Sequence, residues 1–258
     1  CPFGPHPAMI LRSDETADIP VENSGLMRLH LVRPAVPGCF PGLLLFSEIY
    51  QVTAPIRRLA AFFAGHGFVV AVPEVYHEYE PAGTVLAYDK PGTDRGNDLK
   101  FTKPVAAYDA DARAALGFLA GHAACTGRLG TVGVCLGGHL AYRAALDDRV
   151  GAAACFYATD IHAGSLGAGR ADDSLARMAE LKAESLFVWG RQDPHVPFAG
   201  RERIRARLET VGASYEWHEV NGQHAFLRDE GPRYDPELFV ACTGWALALF
   251  RRTLMATH

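Results

Sequence analysis

Four short runs constrain this chain more than any other feature: 42–47 (GLLLFS), 68–72 (FVVAV), 129–134 (LGTVGV) and 185–189 (SLFVW). Each has the length of a strand and is almost wholly apolar. A strand wetted on one face alternates, whereas an unbroken apolar run suits an interior strand of a parallel sheet covered on both faces. Two more candidates are 151–157 (GAAACFY) and 214–219 (SYEWHE), and 26–33 (LMRLHLVR) alternates in the manner of an edge strand. Helical patterns separate them, near 53–65, 104–123, 137–147, 172–183, 198–211 and 236–254. Strands alternating with helices predict an α/β architecture, an open doubly wound sheet or a barrel. The 258 residues fit one such domain, spanning 1–258.

Composition narrows the function classes. The formal net charge is −4 and the 25 Lys and Arg residues are spread along the chain, so nothing marks a nucleic-acid or anionic-membrane surface. The cluster RERIRARLE (201–209) interleaves acids and reads as a solvated helix face. The continuous apolar runs fall far short of the ~20 residues of a membrane span. Six cysteines without a Cys-x-x-Cys pair imply reduced thiols in a cytoplasm rather than a disulfide framework. The N-terminal stretch CPFGPHPAMILRSDE lacks the pattern of a secretory signal, and a start at Cys1 is expected from removal of an initiator Met. No paired-Cys or HExxH spacing suggests a metal, and no glycine-rich phosphate loop suggests a nucleotide, so no cofactor is expected.

In a parallel sheet, ligands bind beyond the C-terminal strand ends. One such end carries Gly133-Val134-Cys135-Leu136-Gly137-Gly138. Glycines two residues to either side of Cys135 allow strand and helix to approach and leave the sulfur at the apex of the turn. This is the G-x-nucleophile-x-G elbow with Cys in place of Ser. A helix N-terminus favours thiolate, and the amide of Leu136 points where an oxyanion would form. The ordinary reading is a glycine-rich turn around a buried thiol. Two further strand ends decide against it. Asp193 follows the 185–189 run by four residues, and His224 lies in a turn after 214–219 with Asn221 and Gly222. Cys135, Asp193 and His224 thus occur in the order nucleophile, acid, histidine. His195 lies too close to Asp193 in sequence to compete, His218 sits within a strand pattern, and His66 reads as a helix-end cation. Asp160 and His162 also follow a strand end and are secondary candidates for substrate contact. The segment 74–103, long and rich in aromatic and turn residues, is expected to form a loop that walls the pocket.

With LLLFSEIY, GFVVAVPEVY, GVCLGGHLAYRAA, GRQDPHVP and GQHAFLR in place, the sequence resembles the dienelactone hydrolase (carboxymethylenebutenolidase) family from about residue 25 to 252. The resemblance implies an α/β-hydrolase fold, with a mostly parallel sheet of about seven to eight strands flanked by helices. It implies that Cys135 is the nucleophile, with Asp193 and His224 completing a triad. Glu48, after LLLF, corresponds to a family glutamate that bonds the resting thiol and takes its proton, and Ile49 N–H would be a second oxyanion donor. Arg228, four residues after His224, would bind a substrate carboxylate, since a guanidinium pairs with it bidentately. Arg95 is the nearest candidate for a second family arginine, and Tyr76 matches an aromatic that would line the pocket. The expected activity is hydrolysis of a small lactone or activated ester, carboxylate-bearing, through a thioester, by a monomer or small homo-oligomer. The alternatives are a broad carboxylesterase or thioesterase, a redox sensor built on Cys135 and Glu48, and a binding module without catalysis.

Overall fold

A computed structural model describes residues 10–255, so the reading of Cys1 lies outside the described residues. One eight-stranded sheet in the order β1-β2-β4-β3-β5-β6-β7-β8 organises the chain. Its strands are β1 (Leu11–Val21), β2 (Gly25–Pro34), β3 (Phe40–Phe46), β4 (Val69–Pro73), β5 (Cys125–Val134), β6 (Val150–Phe156), β7 (Glu184–Gly190) and β8 (Tyr215–Val220). β1 pairs with β2 and β2 with β4 antiparallel, and every pairing from β4 to β8 is parallel.

The apolar runs behave as two-faced strands. In β3, Leu44 and Phe46 enter one core layer while Leu43 and Leu45 enter the other; in β7, Phe187 and Trp189 oppose Leu186 and Val188 in the same way. Two helices, α1 (Ala54–Gly65) and α7 (Pro236–Phe250), cover one face with Ile56, Leu59, Phe63, Cys242, Ala246 and Phe250. The other face lies under α3 (Val105–Gly121), α4 (Leu136–Ala144) and α6 (Phe198–Val211), through residues such as Leu116, Leu140 and Ile204. An open doubly wound sheet results, not a barrel.

Four local expectations change. First, 25–34 is not the edge: β1 flanks it, anchored by Arg28–Asp18 and Arg33–Glu15 pairs at 2.8 Å. The charged, Pro20-containing sequence of β1 is what an edge strand uses to block further pairing. Second, 74–103 is only partly loop, because residues Lys90–Thr102 form α2. Its buried stripe is Gly92, Gly96, Leu99 and Lys100, so apolar periodicity could not reveal it, and Asp89 caps it by accepting Gly92 N–H at 2.8 Å. Third, 172–183 yields only the single turn α5 (Ser174–Arg177) and a 3₁₀ turn at Met178–Glu180. Fourth, Pro236–Met255, formed by α7 and its continuation, is long and apolar enough by composition to cross a membrane, although no continuous apolar run is. In this fold its Cys242–Ala246–Phe250 face packs on the sheet. His66 sits at the C-terminal end of α1, where its Nδ1–H donates to Phe62 O at 2.8 Å.

Core and edge differ sharply in what they hold. Phe63 is fully buried and meets Phe250 edge-on, so Phe63→Ala should cost about 3–5 kcal/mol in denaturant unfolding. Arg33→Ala, at the half-buried edge pair, should shift the midpoint far less.

Candidate active site

The site is built from the glycines outward. A Cβ at Gly133 would lie 2.0 Å from Gly137 O, and one at Gly137 would lie 2.1 Å from Phe46 O. Neither position admits a side chain, so the strand-to-helix turn closes tightly against the end of β3. Cys135 at its apex takes φ 58° and ψ −123°, a backbone region that side chains rarely occupy. Its N–H donates to Phe156 O at 3.1 Å, and its carbonyl accepts from Gly138 N–H at 3.0 Å and Thr159 N–H at 3.3 Å. The sulfur emerges half-buried at the start of α4.

Asp193 and His224 converge on this sulfur from the ends of β7 and β8. Asp193 Oδ1 accepts the backbone N–H of His195 at 2.8 Å, which leaves Oδ2 for His224 Nδ1 at 2.7 Å. That bond orients the ring and leaves Nε2 for Cys135. Burial works against a charged His224, but the Cys135 sulfur and Asp193 outweigh it and lift the imidazolium to about 10. The ring is boxed in by Tyr157 at 5.2 Å and His195 at 4.5 Å between centroids, both edge-on. Burial, with His224 next to it, lowers the pKa of His195 and so favours its neutral form.

Glu48 lies in the turn after β3 and is 2% exposed. Tyr88 donates to its Oε2 at 3.1 Å, Thr53 pairs with the Tyr88 hydroxyl at 2.7 Å, and Arg228 Nη1 lies 3.7 Å from Oε1. Burial raises the Glu48 pKa, against the pull of Arg228, His224 and the Tyr88 hydrogen bond. Arg228 itself lies over the Tyr88 ring at 4.3 Å and donates from Nε to Glu230 O at 3.1 Å. Next to Glu48, Ile49 N–H finds no acceptor among the described residues. The Ile49 carbonyl is pressed by α2, where a Cβ on Gly96 would meet it at 2.6 Å.

A cavity of about 290 Å³ joins these groups, lined by Glu48, Ile49, Tyr50, Thr93, Asn97, Lys100, Cys135, Thr159, His195, His224, Arg228 and Arg233. Of the residues expected from sequence, it gathers Cys135, His224, Glu48, Ile49 and Arg228, with Asp193 behind His224 and Leu136 at the helix start. It does not gather Arg95 or Tyr76. Arg95 is 43% exposed and held by Glu80 at 2.7 Å and Asp98 at 2.9 Å, so its guanidinium is spent on its own surface. Tyr76 is fully buried, donating to Gly96 O at 3.3 Å beneath α2. Asp160 does not line the cavity either; it fixes Lys100, which does, at 3.0 Å. His162 packs under Gly200, and His218 stacks on Trp245 at 3.8 Å between centroids. A separate cleft of about 170 Å³ between α3 and α4 is lined by the ion-paired Asp109, Arg143 and Arg177.

The dienelactone hydrolase family profile matches residues 27–252 of this sequence. The chain belongs to the dienelactone hydrolase family. It is 40% identical to a Saccharomyces cerevisiae protein named "Putative carboxymethylenebutenolidase", over 92% of this chain and 90% of that one. It is 28% identical to a carboxymethylenebutenolidase from a Pseudomonas species, over 92% and 95% of the two chains. In fold it is similar to a Klebsiella pneumoniae crystal structure titled "Putative Dienelactone Hydrolase", with TM-score 0.79, 24% identity and coverage of 95% and 99%. Family membership makes the chain a hydrolase of the carboxylic-ester class with an α/β-hydrolase fold.

Sequence reasoning about this family member missed Tyr88, Tyr157, Lys100 and Arg233. Tyr88 and Lys100 lie in 74–103, whose helix was hidden, and Tyr157, with a positive φ of 38° just after β6, meets the His224 ring across the fold. His195 was set aside for its sequence proximity to Asp193, yet a short turn suffices to bring its ring round to His224.

The raised imidazole makes a pH test with a definite sign. Protonation is favoured by the folded site, so that stabilisation is full below the ordinary value of 6.5 and is lost as pH rises through about 10. An imidazole nitrogen NMR titration should place the His224 midpoint near 10 and lower in Cys135→Ser, because the neighbouring sulfur that helps raise it is gone. An unmoved midpoint would remove the sulfur as its cause.

Proposed function

We propose that the chain is a single-domain hydrolase that opens a lactone or activated ester carrying a carboxylate, using Cys135, His224 and Asp193. The observation that carries this reading is the strained Cys135 at φ 58° facing a histidine whose other nitrogen is held 2.7 Å from Asp193. The sulfur attacks the carbonyl carbon, forming an S–C bond, while the N–H groups of Leu136 and Ile49 receive the oxyanion. The C–O bond then breaks, and His224 gives its proton to the departing alkoxide or enolate oxygen. Neutral His224 next takes a proton from water, whose oxygen attacks the thioester. The acid leaves, and the thiolate–imidazolium pair is restored. Asp193 keeps the ring in place throughout. Glu48 stands by as a second proton acceptor for the thiol, a better base than an ordinary carboxylate because burial raises its pKa.

Thiolate attack suits good leaving groups such as enolates and is poorly matched to amides. A broad carboxylesterase or thioesterase would use the same atoms, and substrate profiling separates it. A redox sensor would need Cys135 and Glu48 only, and leaves the Asp193–His224 pair without a use. All five described cysteines are free, in keeping with a cytoplasmic enzyme.

With an aryl ester and a dienelactone as substrates, Cys135→Ala and His224→Ala should each lower kcat/KM by at least about 10³-fold. Acid-quenched wild-type enzyme should carry the acyl group on Cys135 in peptide mass spectrometry. Hydrolysis that survives Cys135→Ala would sink the mechanism.

A further inference from the structure

A helix that is apolar all round normally lies inside a protein core. Pro236–Met255 departs from this, because only 39% of its most apolar stretch is buried. Cys242, Ala246 and Phe250 meet the sheet, and the opposite side of the helix is open. That side carries Glu237, Val240, Gly244, Ala248 and Arg251, all exposed, with Val240 at 70%. Steps of three and four residues keep them on one face of a helix with about 3.6 residues per turn. Half-buried Ala241 and Trp245 flank this face on one side, and on the other Phe239 continues it to Phe62 of α1, their rings 5.8 Å apart. A contiguous apolar surface of this kind marks an interaction site.

Three observations say what covers it. Gly244 has no use within its own chain: a Cβ there would meet nothing within 4 Å, and glycine in a helix interior destabilises relative to alanine. A second helix lying close against it gives the glycine a use. The face is also symmetric about that point, with Val240 and Ala248 four residues to either side and Glu237 and Arg251 seven. Finally, these two charges are spare. Neither has an ion pair or hydrogen bond among the described residues, and no other charged residue lies between them.

We propose that this face of α7 pairs with its own copy about a two-fold axis at Gly244, making the protein a homodimer. Turned antiparallel, the two helices set Val240 of each against Ala248 of the other, and Glu237 of each against Arg251 of the other. The charged pairs fall about 10 Å on either side of the axis at a rise of ~1.5 Å per residue, and a shallow crossing of about 20° keeps them in reach. A parallel pair would bring Glu237 to Glu237 and Arg251 to Arg251, so the charges select the antiparallel arrangement. Self-complementarity of this kind is what a two-fold interface requires. The apolar face supplies the attraction, and the exposed ion pairs fix direction and register. Dimerisation does not depend on the reaction proposed above.

Sedimentation velocity over a concentration series tests the proposal. Wild type should show a monomer–dimer equilibrium, and Glu237→Arg and Arg251→Glu should each raise the dimer Kd at least tenfold. The double variant, with the pair reversed, should recover most of the wild-type affinity. Mixing the two single variants should give a heterodimer, because each then carries the charges that the other lacks. Gly244→Leu has room within its own chain, so its thermal midpoint should not fall while its dimer is lost. Wild type that stays monomeric up to about 0.1 mM overturns the proposal, since weak specific interfaces still associate at such concentrations. A dimer that the charge reversals and Gly244→Leu leave unchanged also overturns it. So does a monomer that floats with phosphatidylcholine vesicles and loses this in Val240→Asp, which would assign the face to a lipid surface.

Discussion

The contact on which this site depends is steric: the backbone of Gly137 against the carbonyl of Phe46. With no room for a Cβ there or at Gly133, β5 can hand over to α4 within one residue, and Cys135 is forced into a positive-φ conformation. A non-glycine residue held this way costs about 1–3 kcal/mol, and it persists because two strands and a connection hold it. β3 receives the glycines, while β6 accepts the Cys135 N–H through Phe156 O and the β6–α5 connection donates Thr159 N–H to Cys135 O. The strain keeps the sulfur out of the core and at the N-terminus of α4, where the helix dipole favours negative charge.

Electrostatics then build on that placement. Glu48, Asp193 and His224 are all nearly inaccessible, and isolated charges in such surroundings would be costly. Glu48 is instead matched by Tyr88 and Arg228, and Asp193 and His224 by one another, with the His195 amide in the same turn completing Asp193. Buried pairs of this kind add little net stability, and losing one partner is expensive. Their use here is positional. Tyr88 is held by Thr53 at the start of α1, so the Glu48 carboxylate is registered to the sheet through a helix it does not belong to.

The sheet, and the convergence at its strand ends of the three residues proposed to react, were legible in the sequence because local rules governed them. Unbroken apolar runs mark strands buried on both faces, and Gly133 and Gly137 mark a close approach; Asp193 and His224 follow strands by a few residues. What lay hidden was governed by contacts across the fold. β1 carries its signal in charges that pair with Arg28 and Arg33, not in an apolar pattern. α2 packs through Gly92 and Gly96, where the absence of a side chain is the adhesive feature, so hydrophobic periodicity reports nothing. Arg95 and Tyr76 looked like pocket residues by neighbourhood in sequence. A helix instead turned Arg95 toward Glu80 and Asp98, and placed Tyr76 beneath it.

The two kinds of legibility divide the enzyme's chemistry. Bond making and breaking is assigned to residues at strand ends, whose positions are set by the sheet, whereas the cavity walls come from α2 and the stretch 226–235. These two segments also touch the reacting groups: α2 presses on the Ile49 carbonyl through Gly96 and bonds Tyr50 through Thr93 at 2.8 Å, and the second supplies Arg228 against Glu48. A change in either wall that suits a different substrate therefore also shifts the turn carrying Glu48 and Ile49. Glycine at position 96 limits that coupling, because it lets α2 lie against backbone instead of wedging it aside. Substrate preference can thus vary through Asn97, Lys100 and Arg233, which line the cavity, while the backbone contact that sets the turn stays the same.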